Sequence, residues 1–255
     1  MIISKKNKFV FVKGRKVAST SVEILLSKYC GVDDIITPIT PFDELNRIKS
    51  GYRCCRNYHK KHFFKRGLAQ EKNYIFKLLT ADESSIQNIN APRGNYNNHM
   101  SLSQIEKNFG RFDENWNVFA IDRNPYDKIL SKINMELRFS DYKANGSEMK
   151  SSLEELKSYV AKNFDIKNYV KVKNIDLYKD KFGELKTKII KYENLENELS
   201  ECLSSLNFDV NLLSHAKKGI GKNKIHPGDV FSQNQIKDIN RVFAEEFEIY
   251  GYETL

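Results

Sequence analysis

The sequence predicts an α/β protein with a mainly parallel central sheet flanked by helices, on three observations. Short runs rich in β-branched and aromatic residues at 8–12, 116–121 and 186–192 have the length and composition of buried strands. Each leads through a short connection into a segment whose apolar residues recur at helical spacing. Strands that alternate with helices form a parallel sheet covered on both faces, and ligands then gather at the carboxyl ends of the strands.

The elements follow in chain order. Residues 8–12 alternate apolar and polar types as a strand does, and 19–30 carry Val22, Ile24, Leu25, Leu26 and Tyr29 at helical spacing. Residues 31–42 contain Pro38 and Pro41 and read as loop, 67–80 include a short helix, and 84–98, with Pro92, Gly94 and many Asn and Ser residues, read as irregular. Ser101 with Gln104 three positions on is a capping box, which predicts a short helix over 101–108. The strand at 116–121 (WNVFAI) runs into Asp122-Arg123-Asn124-Pro125, and 126–137 is helical, with Pro125 suited to the first turn. Helices are predicted at 153–163 and, after the third strand, at 194–206. Residues 234–250 form a closing helix whose stripe is Ile236, Ile239, Val242, Phe243 and Phe247. Trp116 reads as core, and no internal repeat or low-complexity segment interrupts the pattern.

Composition narrows the class. The 255 residues are 40% hydrophobic and 29% charged, the balance of a globular chain, and no apolar run approaches the ~20 residues that span a bilayer. The start, MIISKKNKFVFVKG, lacks the long apolar stretch and small-residue cleavage site of a secretory leader, so a cytoplasmic location is expected. Four cysteines, two of them the adjacent Cys54 and Cys55, suit a reducing compartment. There is no C-x-x-C pair, and His59-Lys60-Lys61-His62 makes no zinc site by itself. The net charge of +9 points to an anionic partner: nucleic acid, membrane surface or a small phosphate-bearing molecule. It peaks at 53–66 (RCCRNYHKKHFFKR) and at 217–224 (KKGIGKNK). The first peak reads equally as a solvated face, whereas the two glycines of the second favour an anion loop.

The chemistry concentrates between the first strand and its helix, in KGRKVASTS (13–21). A loop at a strand's carboxyl end and a helix N-terminus offers free backbone N–H groups and a positive dipole end, which suits phosphate or sulfate. The hydroxyls of Ser19, Thr20 and Ser21 add donors and Lys16 a mobile charge. The nucleoside-triphosphatase loop needs a glycine directly before its lysine, followed by Ser or Thr; here the lysine comes first, four residues ahead of Thr20. A second strand–loop–helix, DRNPYDKILS (122–131), places the guanidinium of Arg123 at a strand end and Ser131 eight residues on, where helical geometry can return it toward the same anion. Two such loops describe a ligand with two separated anionic groups.

Taken in order, K-x-A-x-T-S, R-N-P-Y-D-K-x-x-S and K-K-G-x-G-x-x-K resemble the sulfotransferases that use 3′-phosphoadenosine 5′-phosphosulfate (PAPS), and bacterial members of the carbohydrate sulfotransferases in particular. Supporting stretches are 33–44, Asn98-His99-Met100, 191–195 and 243–252. The resemblance thins over 53–95 and 138–186. It implies a P-loop-like, nucleoside kinase-like fold in one domain over 1–255, with acceptor-side insertions at roughly 42–98 and 138–185. It implies that Lys16, Ala18, Ser19, Thr20 and Ser21, with Arg15 and Val17, form the 5′-phosphosulfate loop, Lys16 touching the bridging oxygen. Arg123 and Ser131 then hold the 3′-phosphate, and Lys217, Lys218 and Gly219 close over the adenosine, with Lys224 a looser match. Arg15 stands where the family often has a proline, and Val17-Ala18-Ser19 replaces a more glycine-rich form.

The implied reaction is metal-independent transfer of a sulfuryl group to a hydroxyl, of a saccharide by resemblance, with the acceptor itself anionic if the 53–66 cluster meets it. Sulfuryl transfer shares the in-line form of phosphoryl transfer, in which the protein positions groups and neutralises charge. Histidine suits the removal of the acceptor's proton near neutrality, and the resemblance implies His99, just upstream of the R-N-P strand, as the base. His59 and His62 lie in the basic segment, His215 and His226 flank the late loop, and Glu44 and Asp34 are the alternative carboxylate bases. Tyr192-Glu193 reads as packing plus the ordering of a basic neighbour. A P-loop-type kinase would need the glycine–lysine pair and an acidic metal ligand beyond Asp122. A nucleic-acid-binding module would account for the charge and a salt-dependent affinity but not for the ordered motifs.

Overall fold

The computed structural model describes residues 1–57, 64–145, 152–209 and 225–255. Its centre is a five-stranded mixed sheet in the order β3-β1-β2-β4-β5. The strands are β1 (Ile2–Ser4), β2 (Phe9–Val12), β3 (Ile35–Ile36), β4 (Asn117–Asp122) and β5 (Lys188–Lys191). β2, β4 and β5 run parallel, with Val12 opposite Ala120 and Ile121 opposite Ile190, so the three strands read from the sequence form one continuous parallel unit. The expected mainly parallel sheet is corrected on its other side, where β1 pairs antiparallel with both β2 and β3.

Asp34 builds that side. Its carboxylate accepts from the Ser4 hydroxyl and from the backbone N–H groups of Lys5, Lys6 and Gly31, which folds the KKNK run into a turn between β1 and β2. The expected loop over 31–42 therefore holds β3, and Pro38 and Pro41 fall beyond it; Pro41 opens α2 (Pro41–Lys49), capped by Thr40.

Both faces of β2 are buried. Phe9 and Phe11 meet Val22, Leu25 and Leu26 of α1 (Ser19–Ser27) and Leu199 and Leu203 of α8 (Leu195–Ser205); Val10 and Val12 meet Leu102 and Ile105 of α5 (Leu102–Phe109), with Tyr178 and Tyr250. The predicted capping box is formed at α5, Ser101 accepting from Gln104 N–H and Gln104 from Ser101 N–H. A further cluster joins α6 (Pro125–Asn145), α7 (Leu153–Asn163), α9 (Gln233–Val242) and α10 (Ala244–Tyr250). Leu45, Cys54, Cys55, Tyr74, Leu78 and Ile86 pack α2, α3 (Phe64–Thr80) and α4 (Glu83–Ile86) together.

Three lengths differ from expectation for physical reasons. α3 extends past the predicted start at Gly67, since an interior glycine costs a helix only about 1 kcal/mol against alanine, and α6 continues to Asn145 because neither glycine nor proline interrupts it. The single closing helix is two helices, broken at Phe243, whose ψ of 15° leaves the helical region while its ring is fully buried. The residues read as irregular over 84–98 contribute the end of the one-turn helix α4 before the chain becomes irregular. No helix among the described residues is long and apolar enough to cross a membrane.

Candidate functional site

β2 ends at Val12 and α1 begins at Ser19, so residues 13–18 make the connection read as the anion loop. Two of its residues, Lys16 (φ 62°) and Ala18 (φ 57°), hold left-handed backbone. A non-glycine residue there costs of order 1–3 kcal/mol and persists only where its surroundings impose it. Val17, between them, is fully buried in the core, so it anchors the loop while its neighbours turn outward. Turns of this kind gather backbone N–H groups into an anion-binding concavity. The N-terminus of α1 has no side-chain cap and no acidic residue in its first turn, whereas Ser101, Ser152 and Ser232 cap α5, α7 and α9.

The loop is held from behind. The Ser19 hydroxyl donates to the Gly14 carbonyl at 2.8 Å, which commits a hydroxyl expected to serve the anion. Thr20 is half-buried and Ser21 exposed. Arg15 N–H donates to Asn174 Oδ1 at 2.9 Å, Arg15 C=O accepts from Asn174 Nδ2 at 3.0 Å, and the Arg15 guanidinium donates to the Lys171 carbonyl.

β4 brings the second loop alongside. Lys16 Nζ lies 3.5 Å from Met135 Sδ on α6. Partial burial, and then the charges of Lys132, Arg123 and Arg138, pull its pKa below the usual lysine range, with Glu136 opposing them. The two motifs therefore converge. Asp127, Ser131 and Met135 follow one another at four-residue spacing on one ridge of α6, so Ser131 lies between the Arg123 end and the Lys16 end. The Arg123 guanidinium is 3.5 Å from Asp127 and 4.6 Å above the Tyr192 ring. Its buried Nε has no hydrogen-bond partner among the described residues. Glu193 accepts from Asn124 N–H and the Tyr252 hydroxyl, so the Tyr192-Glu193 pair orders this loop. Lys217, Lys218, Gly219 and Lys224 lie outside the described residues, as do His59, His62 and His215.

His99 also holds left-handed backbone, φ 60°, so three of the five non-glycine residues with positive φ among the described residues belong to the candidate site. Its Nδ1 is 3.0 Å from the Lys13 carbonyl. A carbonyl only accepts, so Nδ1 carries the proton and Nε2 the lone pair. Burial, aided by the charges of Lys13 and Arg15 and opposed by the Lys13 hydrogen bond, lowers its pKa to about 4. His226 instead accepts from Gly228 N–H in a surface turn.

The alternative bases serve the framework. Asp34 holds the β1–β2 turn as described. Glu44, fully buried, takes the Arg47 guanidinium on both oxygens and accepts from Cys55 N–H. Glu44, Cys54 and Cys55 bring their ligand atoms within 4.8 Å of one another, with the carboxylate already occupied by Arg47. Beneath the loop, Glu23 pairs with Lys13 at 2.7 Å, with the Met1 nitrogen at 3.0 Å and with Arg47 at 3.4 Å, all buried. These partners overcome burial and hold Glu23 at about 2, while burial lowers the Met1 amine to about 5, so near neutrality Lys13 and Arg47 are the cations that face it.

No family model, curated protein or solved structure matches this chain.

Proposed function

We propose that the protein is a sulfotransferase that moves a sulfuryl group from PAPS to a hydroxyl acceptor, a saccharide by resemblance, on a variant of the P-loop-like sulfotransferase fold. The observation that carries this reading is the convergence of Lys16 with Arg123, Lys132 and Arg138 beside the strained, uncapped entry to α1. The donor presents a phosphosulfate at one end and a 3′-phosphate at the other. The 13–18 loop suits the first and Arg123 with Ser131 the second, the orphaned Arg123 Nε supplying a donor in need of an acceptor.

In this reading Lys16 neutralises charge on the departing 5′-phosphate oxygen, and the first-turn N–H groups of α1 face the sulfuryl oxygens. Burial and the neighbouring cations lower the Lys16 pKa, and an anion within reach strengthens its hold on its proton. His99 Nε2 accepts the acceptor's proton; it is neutral at pH 7, and a nearby anionic donor raises its basicity. The kinase reading has less support, because Asp122, at the strand end where such enzymes hold a metal, is paired with Lys128 at 2.8 Å.

Titration calorimetry with 3′-phosphoadenosine 5′-phosphate tests the assignment. Arg123→Ala should weaken binding at least tenfold, the loss of a charged hydrogen bond; undiminished affinity would remove Arg123 from the site.

A further inference from the structure

Both anion loops are fastened to one buried charge triad. Lys128, on α6, is fully buried and lies 2.8 Å from Asp122 Oδ1 and 2.5 Å from Glu246 Oε2. On one side, Asp122 Oδ1 accepts from Arg123 N–H at 2.6 Å. On the other, Glu246 Oε1 accepts from the backbone N–H groups of Asn174 at 2.5 Å and Ile175 at 3.0 Å. The fully buried Asn174 side chain then clasps both backbone polar groups of Arg15, the residue before strained Lys16. A single chain of hydrogen bonds thus runs from Arg15 through Asn174, Glu246, Lys128 and Asp122 to Arg123.

We propose that Asn174 is a positioning residue that acts through Arg15, and that the Asp122–Lys128–Glu246 triad sets the separation of the two anion subsites. This rests on the two-anion reading of the site given above. Buried charges are costly unless paired, and an ammonium held between two carboxyl groups, whose oxygens also take three backbone N–H groups, loses one of its partners with any shift. Its rigidity is therefore passed to both loop backbones. The carboxamide is the side chain that serves at position 174, because it donates and accepts at once, as a neighbouring strand would. Asp would keep the acceptor for Arg15 N–H and turn the donor into a second acceptor facing the Arg15 carbonyl.

The test compares Asn174→Ala and Asn174→Asp with the unaltered full chain by two readouts. The first is calorimetric affinity for 3′-phosphoadenosine 5′-phosphate against adenosine 3′-phosphate, which lacks the 5′ anion. Both variants should bind the two-anion probe about tenfold more weakly and the 3′-phosphate probe unchanged; an equal loss for both probes, or no loss, overturns the proposal. The second is amide hydrogen exchange, which needs no nucleotide. Exchange at 15–18 should accelerate while β4 keeps its protection, and unchanged loop exchange overturns the clasp. Should the unaltered chain bind neither nucleotide while loop exchange still accelerates in the variants, the sulfotransferase reading fails and the positioning of the loop stands. Glu246→Gln, which keeps an acceptor for Asn174 and Ile175, should retain more of the two-anion affinity than Glu246→Ala, and equal losses would contradict the relay.

Discussion

Gly14 is the one glycine of the anion loop, and its replacement shows how closely the loop is set against the sheet. A Cβ at Gly14 would lie 2.3 Å from the Tyr178 hydroxyl, 3.0 Å from Val17 Cγ2 and 3.1 Å from the Ile121 carbonyl. Tyr178 is fully buried and its hydroxyl donates to that same carbonyl at 3.0 Å, so the ring has no open side to move into. Overpacking costs about 1–3 kcal/mol, and displacing the hydroxyl from Ile121 adds about 1–3 kcal/mol for a buried group left unpaired. Gly14→Ala should therefore lose roughly 2–6 kcal/mol of stability, read as a lower urea midpoint at unchanged slope. Tyr178→Phe alone should lose about 1 kcal/mol, the worth of one hydrogen bond. In the double variant the clashing oxygen is gone, so the combined loss should fall short of the sum by at least about 1 kcal/mol. Additive losses, or a Gly14→Ala protein as stable as the parent, would refute this account of the loop.

Further outcomes follow from the buried ionisable groups. Glu23, held at about 2 against ~4.3 when unfolded, adds stability that is fully present above the unfolded value and disappears as pH falls through the folded one, about 3 kcal/mol at pH 7. Glu23→Gln should show that deficit in urea unfolding at pH 7 and roughly half of it near pH 3; a gap independent of pH would contradict the pairing. His99→Ala should keep nucleotide affinity and lose transfer, measured as conversion of PAPS to 3′-phosphoadenosine 5′-phosphate with a hydroxyl acceptor. Because His99 must be neutral to act and its pKa lies near 4, kcat/KM of the unaltered protein should stay level from neutrality and fall only near pH 4. A fall centred near 6.5 would place the base elsewhere.

The parallel unit β2-β4-β5 and the loops at its carboxyl ends were legible because each strand is a bounded apolar run followed by a periodic helix, and α5 because its capping box is local. β1 and β3 escaped notice because strands of three and two residues carry too few alternations to register, and the basic KKNK run and two prolines masked them. Lys16 was visible as a charge, its strained backbone was not, since left-handed φ at Lys16, Ala18 and His99 is imposed by tertiary contacts. Asn174, Lys128, Glu246 and Glu23 were missed for a related reason. Each sits in a segment that reads as ordinary helix or turn, and its partner is distant in the chain. One signal was available: Glu246 lies among Phe243, Phe247 and Tyr250 on the apolar side of the closing helices, where an unpaired carboxylate would be costly and a buried cation should have been sought.

The central claim is a site for two separated anions on one nucleoside. Calorimetric titration of the full chain with 3′-phosphoadenosine 5′-phosphate beside ATP, both without added magnesium, tests it most directly. The account predicts binding of the 3′-phosphorylated nucleotide at least tenfold tighter than ATP, while equal affinities, or a preference for ATP that strengthens when magnesium is added, would contradict it.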